Sequence, residues 1–177
     1  MLTVLIVIGV ITLITVILRR NLLGMQHRIQ EAQNRIGVQL EEKLALLRSL
    51  AESVNRNFTG EKTVLDEIAA MASGTIPSGS PEELMKADAE LGRLIGDLFA
   101  AAEACPGLKE HGDFNTLQQK YRETEENLHL SRQFYNDMVL FYNNTVGTFP
   151  GSLAAALFGF RKESFLPAGE AGAQIPE

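Results

Sequence analysis

Tryptophan is absent, and cysteine occurs once, at Cys105, in a chain of 177 residues. A single thiol closes no internal disulfide, so no covalent framework substitutes for a hydrophobic core. With three histidines beside it (His27, His111 and His129), none of the usual structural zinc sets, which draw on two to four cysteines, can be assembled. Positive charge is in short supply: 16 lysines and arginines face 22 aspartates and glutamates, leaving a formal charge of −6. That balance excludes general nucleic-acid binding, which needs clustered cations to displace counterions from phosphates. No glycine-rich phosphate loop and no nucleophile beside a base occurs. What remains is 45% hydrophobic and 21% charged residues, the composition of a folded chain with length for one domain.

The largest single feature is an uncharged apolar run from Leu2 to Leu18, LTVLIVIGVITLITVIL. Its three threonines can return their hydroxyls to carbonyls one turn back, so they cost little in lipid. Seventeen residues at about 1.5 Å each cover roughly 26 Å, the short end of a spanning helix. Arg19 and Arg20 extend it by snorkelling toward the headgroups, where they can also meet anionic lipid. A cleaved signal would put basic residues before the run and small residues after it; here Met-Leu-Thr leads and Ile-Leu-Arg-Arg follows. The run therefore predicts a retained anchor over residues 1–19, with Leu2, Leu5, Ile6, Ile8, Ile11, Leu13, Ile14, Ile17 and Leu18 against lipid. Arg19, Arg20, Arg28 and Arg35 follow the span with Glu31 alone opposing them. Basic flanks stay on the cytoplasmic side, which predicts a single-pass protein of the inner (cytoplasmic) membrane with its C-terminal body in the cytoplasm. An unpaired Cys105 suits that reducing compartment, and the sequons at Asn57 and Asn143 read as chance.

Beyond Arg20 the apolar residues keep helical spacing and show no period of two. Ile29, Ile36, Leu40, Leu47 and Val54, supported by Leu44, Ala51 and Phe58, predict a long amphipathic helix that can continue the membrane span. Thr59-Gly60 interrupts it, and Val64, Leu65, Ile68 and Met71 mark a short helix. The stretch from Gly74 to Pro81 is a loop ending in a capping box, with Ser80 as N-cap, Pro81 at the first helical position and Glu83 reaching back. The next helix turns Leu84, Ala87, Leu91, Leu94, Leu98 and Ala102 inward and stops at Cys105-Pro106-Gly107. Asp113 is the expected N-cap of a last long helix. Its stripe runs Phe114, Leu117, Tyr121, Thr124, Leu128, Ser131, Tyr135, Met138, Tyr142, Thr145 and Phe149. A short apolar helix over Ser152–Phe158 follows, closed by Gly159. The fold class expected is all-α: an N-terminal transmembrane helix, an antiparallel four-helix bundle with long helices over residues 20–165, and a disordered tail over residues 166–177.

Catalytic candidates are few. Glu126-Asn-Leu-His129 places a carboxylate and an imidazole on one helical face, a step that carboxylate-bridged di-iron bundles use twice. It occurs once here, so a dinuclear site lacks half its ligands, and a solvated face is the expected reading. Glu123, Glu125 and Glu126, with Arg122 and Arg132 in reach, read as a salt-laced surface rather than a pair of carboxylates tuned for acid–base work. Cys105 lies at a helix C-terminus, where the dipole raises a thiol pKa, and reads as a small buried residue.

The distinctive stretch is Arg132-Gln-Phe-Tyr135-Asn136, then Tyr142-Asn143, Phe149-Pro150-Gly151 and Leu157-Phe158-Gly159-Phe160. It resembles the C-terminal signature of the LemA family, a bacterial group of membrane-anchored helical proteins. Pro106-Gly-Leu-Lys109, Phe114-x-x-Leu117-Gln118 and Glu123-Thr124-Glu125 fall in the same order and spacing. Upstream, Asn21, Asn34-Arg-Ile36 and Val38-Gln-Leu40 match, while Arg20 and Gln33 stand where the family commonly has tyrosine and tryptophan. The resemblance covers Asn21 to Phe165. It implies an anchor and a helical bundle and brings no established reaction. Tyr135 and Tyr142, seven apart with Asn136 and Asn143 beside them, suit hydrogen-bonded cross-links at a helix seam. Phe149 and Phe160 would pin the short helix to the bundle end. These residues, with Pro150 and Gly159, are structural or partner-binding on this reading. The function expected is a non-catalytic scaffold that binds protein partners at the membrane, needs no cofactor or metal, and has self-association into a homo-oligomer as a second option. A metal-binding bundle or enzyme using Glu126 and His129 is the alternative.

Overall fold

The structure is a computed structural model that describes residues 1–57, 76, 79–103 and 112–167. Among the described residues there are four helices and no strand: α1 (Leu2–Asn57), α2 (Pro81–Glu103), α3 (Gly112–Gly147) and α4 (Gly151–Phe158). The proposed break at Thr59-Gly60, the short helix over Val64–Met71, the stop at Cys105-Pro106-Gly107, His111 and residues 168–177 lie outside the described residues. The chain divides into two compact units, one formed by Met1–Gln33 with Gln133–Phe165, the other by Asn34–Arg132 with Leu166–Glu177.

In the first unit α1 begins as the apolar run and passes Arg19-Arg20 without interruption. It is long and apolar enough to cross a membrane, and no residue of its most apolar window is buried. Thr12 and Thr15 donate their hydroxyls to the carbonyls of Ile8 and Ile11, each at 2.8 Å, so neither presents an unsatisfied hydroxyl to a surrounding apolar phase. Beyond the arginines Leu22, Ile29 and Ala32 turn inward, at the three- and four-residue steps of one helical face.

Helix α4 packs on small residues. Gly151, Ala154 and Ala155 form its buried side, and Gly159, at φ 75°, caps its C-terminus in the left-handed region that glycine adopts without steric cost. The Phe160 amide donates to the Ala155 carbonyl at 3.0 Å, which closes a Schellman turn. A Cβ on Gly151 would lie 2.1 Å from the Thr145 carbonyl oxygen. Because that neighbour is backbone, Gly151→Ala has to displace α4, and a loss of about 1–3 kcal/mol is expected. Gly37→Ala should have the opposite sign: a Cβ there meets nothing within 4 Å, and alanine gains about 0.5–1 kcal/mol over glycine inside a helix. Urea unfolding of both variants of the full chain checks the pair; equal effects would remove the packing argument.

The second unit holds a conventional apolar core. Ile36, Leu40, Leu44, Leu47 and Leu50 of α1 are buried, as are Leu84, Leu91, Leu94, Ile95 and Leu98 of α2 and Leu128 of α3. Phe99 and Tyr121 add a tilted ring pair with centroids 5.7 Å apart. The capping box at the start of α2 forms as expected. The Ser80 amide donates to Glu83 Oε2 at 2.9 Å, and the Glu83 amide donates to Ser80 Oγ at 3.4 Å. Helix α3 is described from Gly112, and the side chain of Asp113, the expected N-cap, lies outside what the structure describes. Leu166 is buried, which extends the packed chain one residue past Phe165, where the sequence had placed the start of the tail.

Candidate functional site

Among the described residues each unit shows a cluster of polar side chains. In the second unit the cluster is made of charges. Lys43 occupies the apolar stripe of α1 between Leu40 and Leu47, and only 2% of its side chain is exposed. Its Nζ donates to Asp88 Oδ1 of α2 at 2.8 Å and pairs with Glu125 of α3. The other Asp88 oxygen accepts from the buried Arg132 guanidinium, also on α3. The Lys43 ammonium lies 5.6 Å from the centroid of the Tyr121 ring, a cation–π contact strengthened by desolvation. Two cations and two carboxylates from three helices thus balance to zero net charge.

Burial is the main influence on the titration of this cluster. It lowers the Lys43 pKa, against the pull of the Glu125 carboxylate, and the Arg132 charge lowers it further. It lowers Arg132 as well. The Tyr121 phenol is raised, first by burial and then by the Glu125 charge. An acid–base pair needs two groups whose surroundings drive their pKa values apart within reach of a substrate. Here each carboxylate is matched to a cation, and Lys43 is out of reach. The cluster is suited to holding three helices in register.

This corrects the surface reading of Glu125 and Arg132. Arg132 is buried and Glu125 half-buried, whereas Glu123 and Glu126 are exposed, and Glu123 accepts a surface hydrogen bond from Gln119 at 3.0 Å. Lys43 and Asp88 were missed altogether. The available signal was positional: Lys43 follows Leu40 by three residues and Asp88 follows Leu84 by four, so both charges lie inside an apolar stripe. Glu126 and His129 are exposed, and no group of three or more His, Cys, Asp or Glu side chains comes together among the described residues.

In the first unit the signature residues make the second cluster. Tyr142 is fully buried, and its hydroxyl accepts from Gln26 Nε2 at 3.2 Å, which ties α3 to α1. Tyr135, also buried, donates to the Ser164 carbonyl at 3.2 Å. Asn143 clasps the Glu163 backbone from both sides: its Nδ2 donates to the carbonyl and its Oδ1 accepts from the amide, each at 2.9 Å. The segment after α4 is thereby bound back onto α3. Burial raises both phenols, with the Glu163 charge adding to it, while the Gln26 donation to Tyr142 acts against the rise. Asn136 is half-buried.

Of the two aromatics flanking the turn, Phe149 behaves differently from expectation. Phe149, past the end of α3, is 83% exposed, so its ring is not packed against the short helix. Phe160 is half-buried, and Pro150 and Gly159 are exposed. Phe158 instead carries the local contacts, with the Phe160 ring edge-on at 6.5 Å and the Arg19 guanidinium 5.2 Å from its centroid. Arg20 is exposed, Leu18 is half-buried, and the residues expected against lipid, Leu2, Leu5, Ile6, Ile8, Ile11, Leu13, Ile14 and Ile17, are all exposed.

A family model described as the LemA family matches residues 22–177, nearly the whole chain beyond the apolar run. No curated protein matches it.

Proposed function

The chain belongs to the LemA family, and from that premise we propose that this membrane-anchored helical protein is a non-catalytic scaffold, presenting a protein-binding face at the bacterial cytoplasmic membrane. One observation supports the reading above others: the signature polar groups are turned to internal use while large apolar groups lie outside. Tyr135, Tyr142 and Asn143 are bonded to Ser164, Gln26 and Glu163. Phe134 and Phe141, seven residues apart and so on one side of α3, are 43% and 60% exposed. Aromatic side chains on an outer face are the usual anchors of a protein interface. The arginines after Leu18 favour a cytoplasmic body by the asymmetry of basic residues.

A photo-crosslinking residue at Phe141 in membranes of the native host should trap a discrete protein partner, and Phe141→Glu should abolish its co-purification. Lipid adducts alone, or iron, manganese or zinc bound stoichiometrically through Glu126 and His129, would overturn the scaffold reading. A reporter active only outside the cytoplasm, joined after Glu177, should stay silent; activity would reverse the orientation.

A further inference from the structure

Apart from one half-buried serine, Ser152, helix α4 carries no polar side chain. Its sequence is Gly-Ser-Leu-Ala-Ala-Ala-Leu-Phe, and Gly151, Ala154 and Ala155 face the protein. Leu153 and Leu157, one turn apart, are each 68% exposed, and Phe149, just before the helix, is 83% exposed. A helix whose one polar side chain is a serine ordinarily has apolar surroundings on most sides, and here the protein supplies one side only.

The position of α4 identifies the other side. Arg19 directly follows the apolar run, and the cation of such a residue marks the boundary between hydrocarbon and headgroups. That guanidinium lies 5.2 Å from the Phe158 ring centroid, so the C-terminal end of α4 stands level with the end of the span. Arg161 and Lys162, both exposed, follow α4 and add to the charge of Arg19 and Arg20, which anionic lipid attracts.

We propose that α4 and Phe149 form a second membrane contact, an interfacial helix lying in the headgroup layer of the bilayer that α1 crosses, with Phe149, Leu153 and Leu157 inserted among the acyl chains. The proposal rests on the membrane-anchored reading and adds a lipid surface to it. Such helices sit with the apolar side about 5–10 Å into the boundary between headgroups and acyl chains. The occupant of this face is therefore lipid, not a second copy of the chain and not the partner expected on α3.

The lack of tryptophan makes the test direct. Single-tryptophan variants Leu153→Trp, Leu157→Trp, Ile8→Trp and Phe134→Trp of the full chain are reconstituted in phosphatidylcholine–phosphatidylglycerol vesicles carrying lipid brominated along the acyl chains. Ile8→Trp reports the span itself. Phe134→Trp lies away from it, since Tyr142 of α3 meets Gln26 of α1 and Phe134 is two turns further along α3. The expected result is that Leu153→Trp and Leu157→Trp lose about half or more of their emission to lipid brominated high on the chain, as residues at interfacial depth do. Ile8→Trp should be quenched more strongly by deep bromines, and Phe134→Trp by neither. Quenching of Ile8→Trp without quenching at 153 and 157 overturns the interfacial helix and leaves the anchor intact. Absence of quenching at all sites overturns both. Tryptophans at 153 and 157 shielded from bromolipid and from an aqueous quencher alike, in proportion to protein density in the vesicle, would assign the face to a second copy and overturn the proposal.

Discussion

Asp88→Ala is expected to destabilise the second unit by about 3–5 kcal/mol, the cost of removing one member of a buried ion cluster. The substitution removes a carboxylate that holds two cations, leaving Lys43, with 2% of its side chain exposed, and the buried Arg132 with Glu125 alone between them. The unpaired charge stays largely buried, so most of the cost of burying it is not recovered. A control lies on the same helix. Asp97 accepts from Arg93 at 3.0 Å, with side chains 47% and 56% exposed, and Asp97→Ala should cost about 0.5 kcal/mol or less. Urea unfolding of the two variants in the same detergent should separate them clearly. Coincident midpoints would mean that the cluster contributes no more than a surface pair. Replacing Lys43, Asp88, Glu125 and Arg132 together by apolar residues of like volume should be far milder than Asp88→Ala. Satisfied clusters of this kind often trade evenly against hydrophobic packing, and their distinctive contribution is to register.

The second large effect is alkaline unfolding. The chain has three tyrosines and no tryptophan, and all three tyrosines are buried, each with its pKa raised above the ordinary 10.0. A phenol raised in the folded state contributes stability that is complete below the unfolded pKa and is lost as pH climbs through the folded one. Above pH 10 the unfolded chain sheds three phenolic protons that the folded chain retains, so stability should fall by up to about 4 kcal/mol per pH unit. Lys43 acts in the opposite sense. Its folded pKa lies below 10.5, so stability rises with pH between that value and 10.5 and gains nothing beyond. One ammonium does not offset three phenols. The near-ultraviolet absorbance of tyrosinate should therefore appear in a single step together with loss of helical circular dichroism, displaced upward from the titration of the chain in urea. Tyrosinate growing near pH 10 with helicity intact would show that the phenols are open to solvent.

The apolar periodicity was a faithful guide wherever one side of a helix meets a core. Ile29, Ile36, Leu40 and Leu47 on α1, Leu84, Leu91 and Leu94 on α2, and Tyr121, Leu128, Tyr135 and Tyr142 on α3 are all buried, because the three-and-four spacing and the inward face have the same geometric origin. The apolar run was legible for a simpler reason: seventeen consecutive uncharged residues make a helix long and apolar enough to cross a membrane. What stayed hidden was set by partners distant in sequence. Lys43, Asp88 and Arg132 each look like surface residues, because burying one charge alone is prohibitive. They become tolerable only together, and a helix-by-helix reading does not reveal which charges meet. Phe149 failed in the other direction. Aromatic bulk argued for packing, but the local turn directs the side chain outward, and nothing in the spacing encodes that direction. The clasp between Asn143 and the Glu163 backbone was equally illegible, since it depends on where the segment after α4 returns.

Helix α1 has no joint where it leaves the apolar run: it is helical from Leu2 through Asn57. A protein hung from a flexible tether samples a cloud of positions whose radius grows with the square root of tether length, and its faces meet the bilayer at random. With the apolar run in a membrane, this chain has a tether of zero length. The parts of the first unit that pack on α1 beyond Arg20 keep a fixed height and inclination above the lipid, and the freedoms left are lateral drift and spin about the helix. Encounters with another membrane protein become a search in two dimensions with one angle to match, and much of the orientational entropy that an encounter in solution would lose is already spent when the helix inserts.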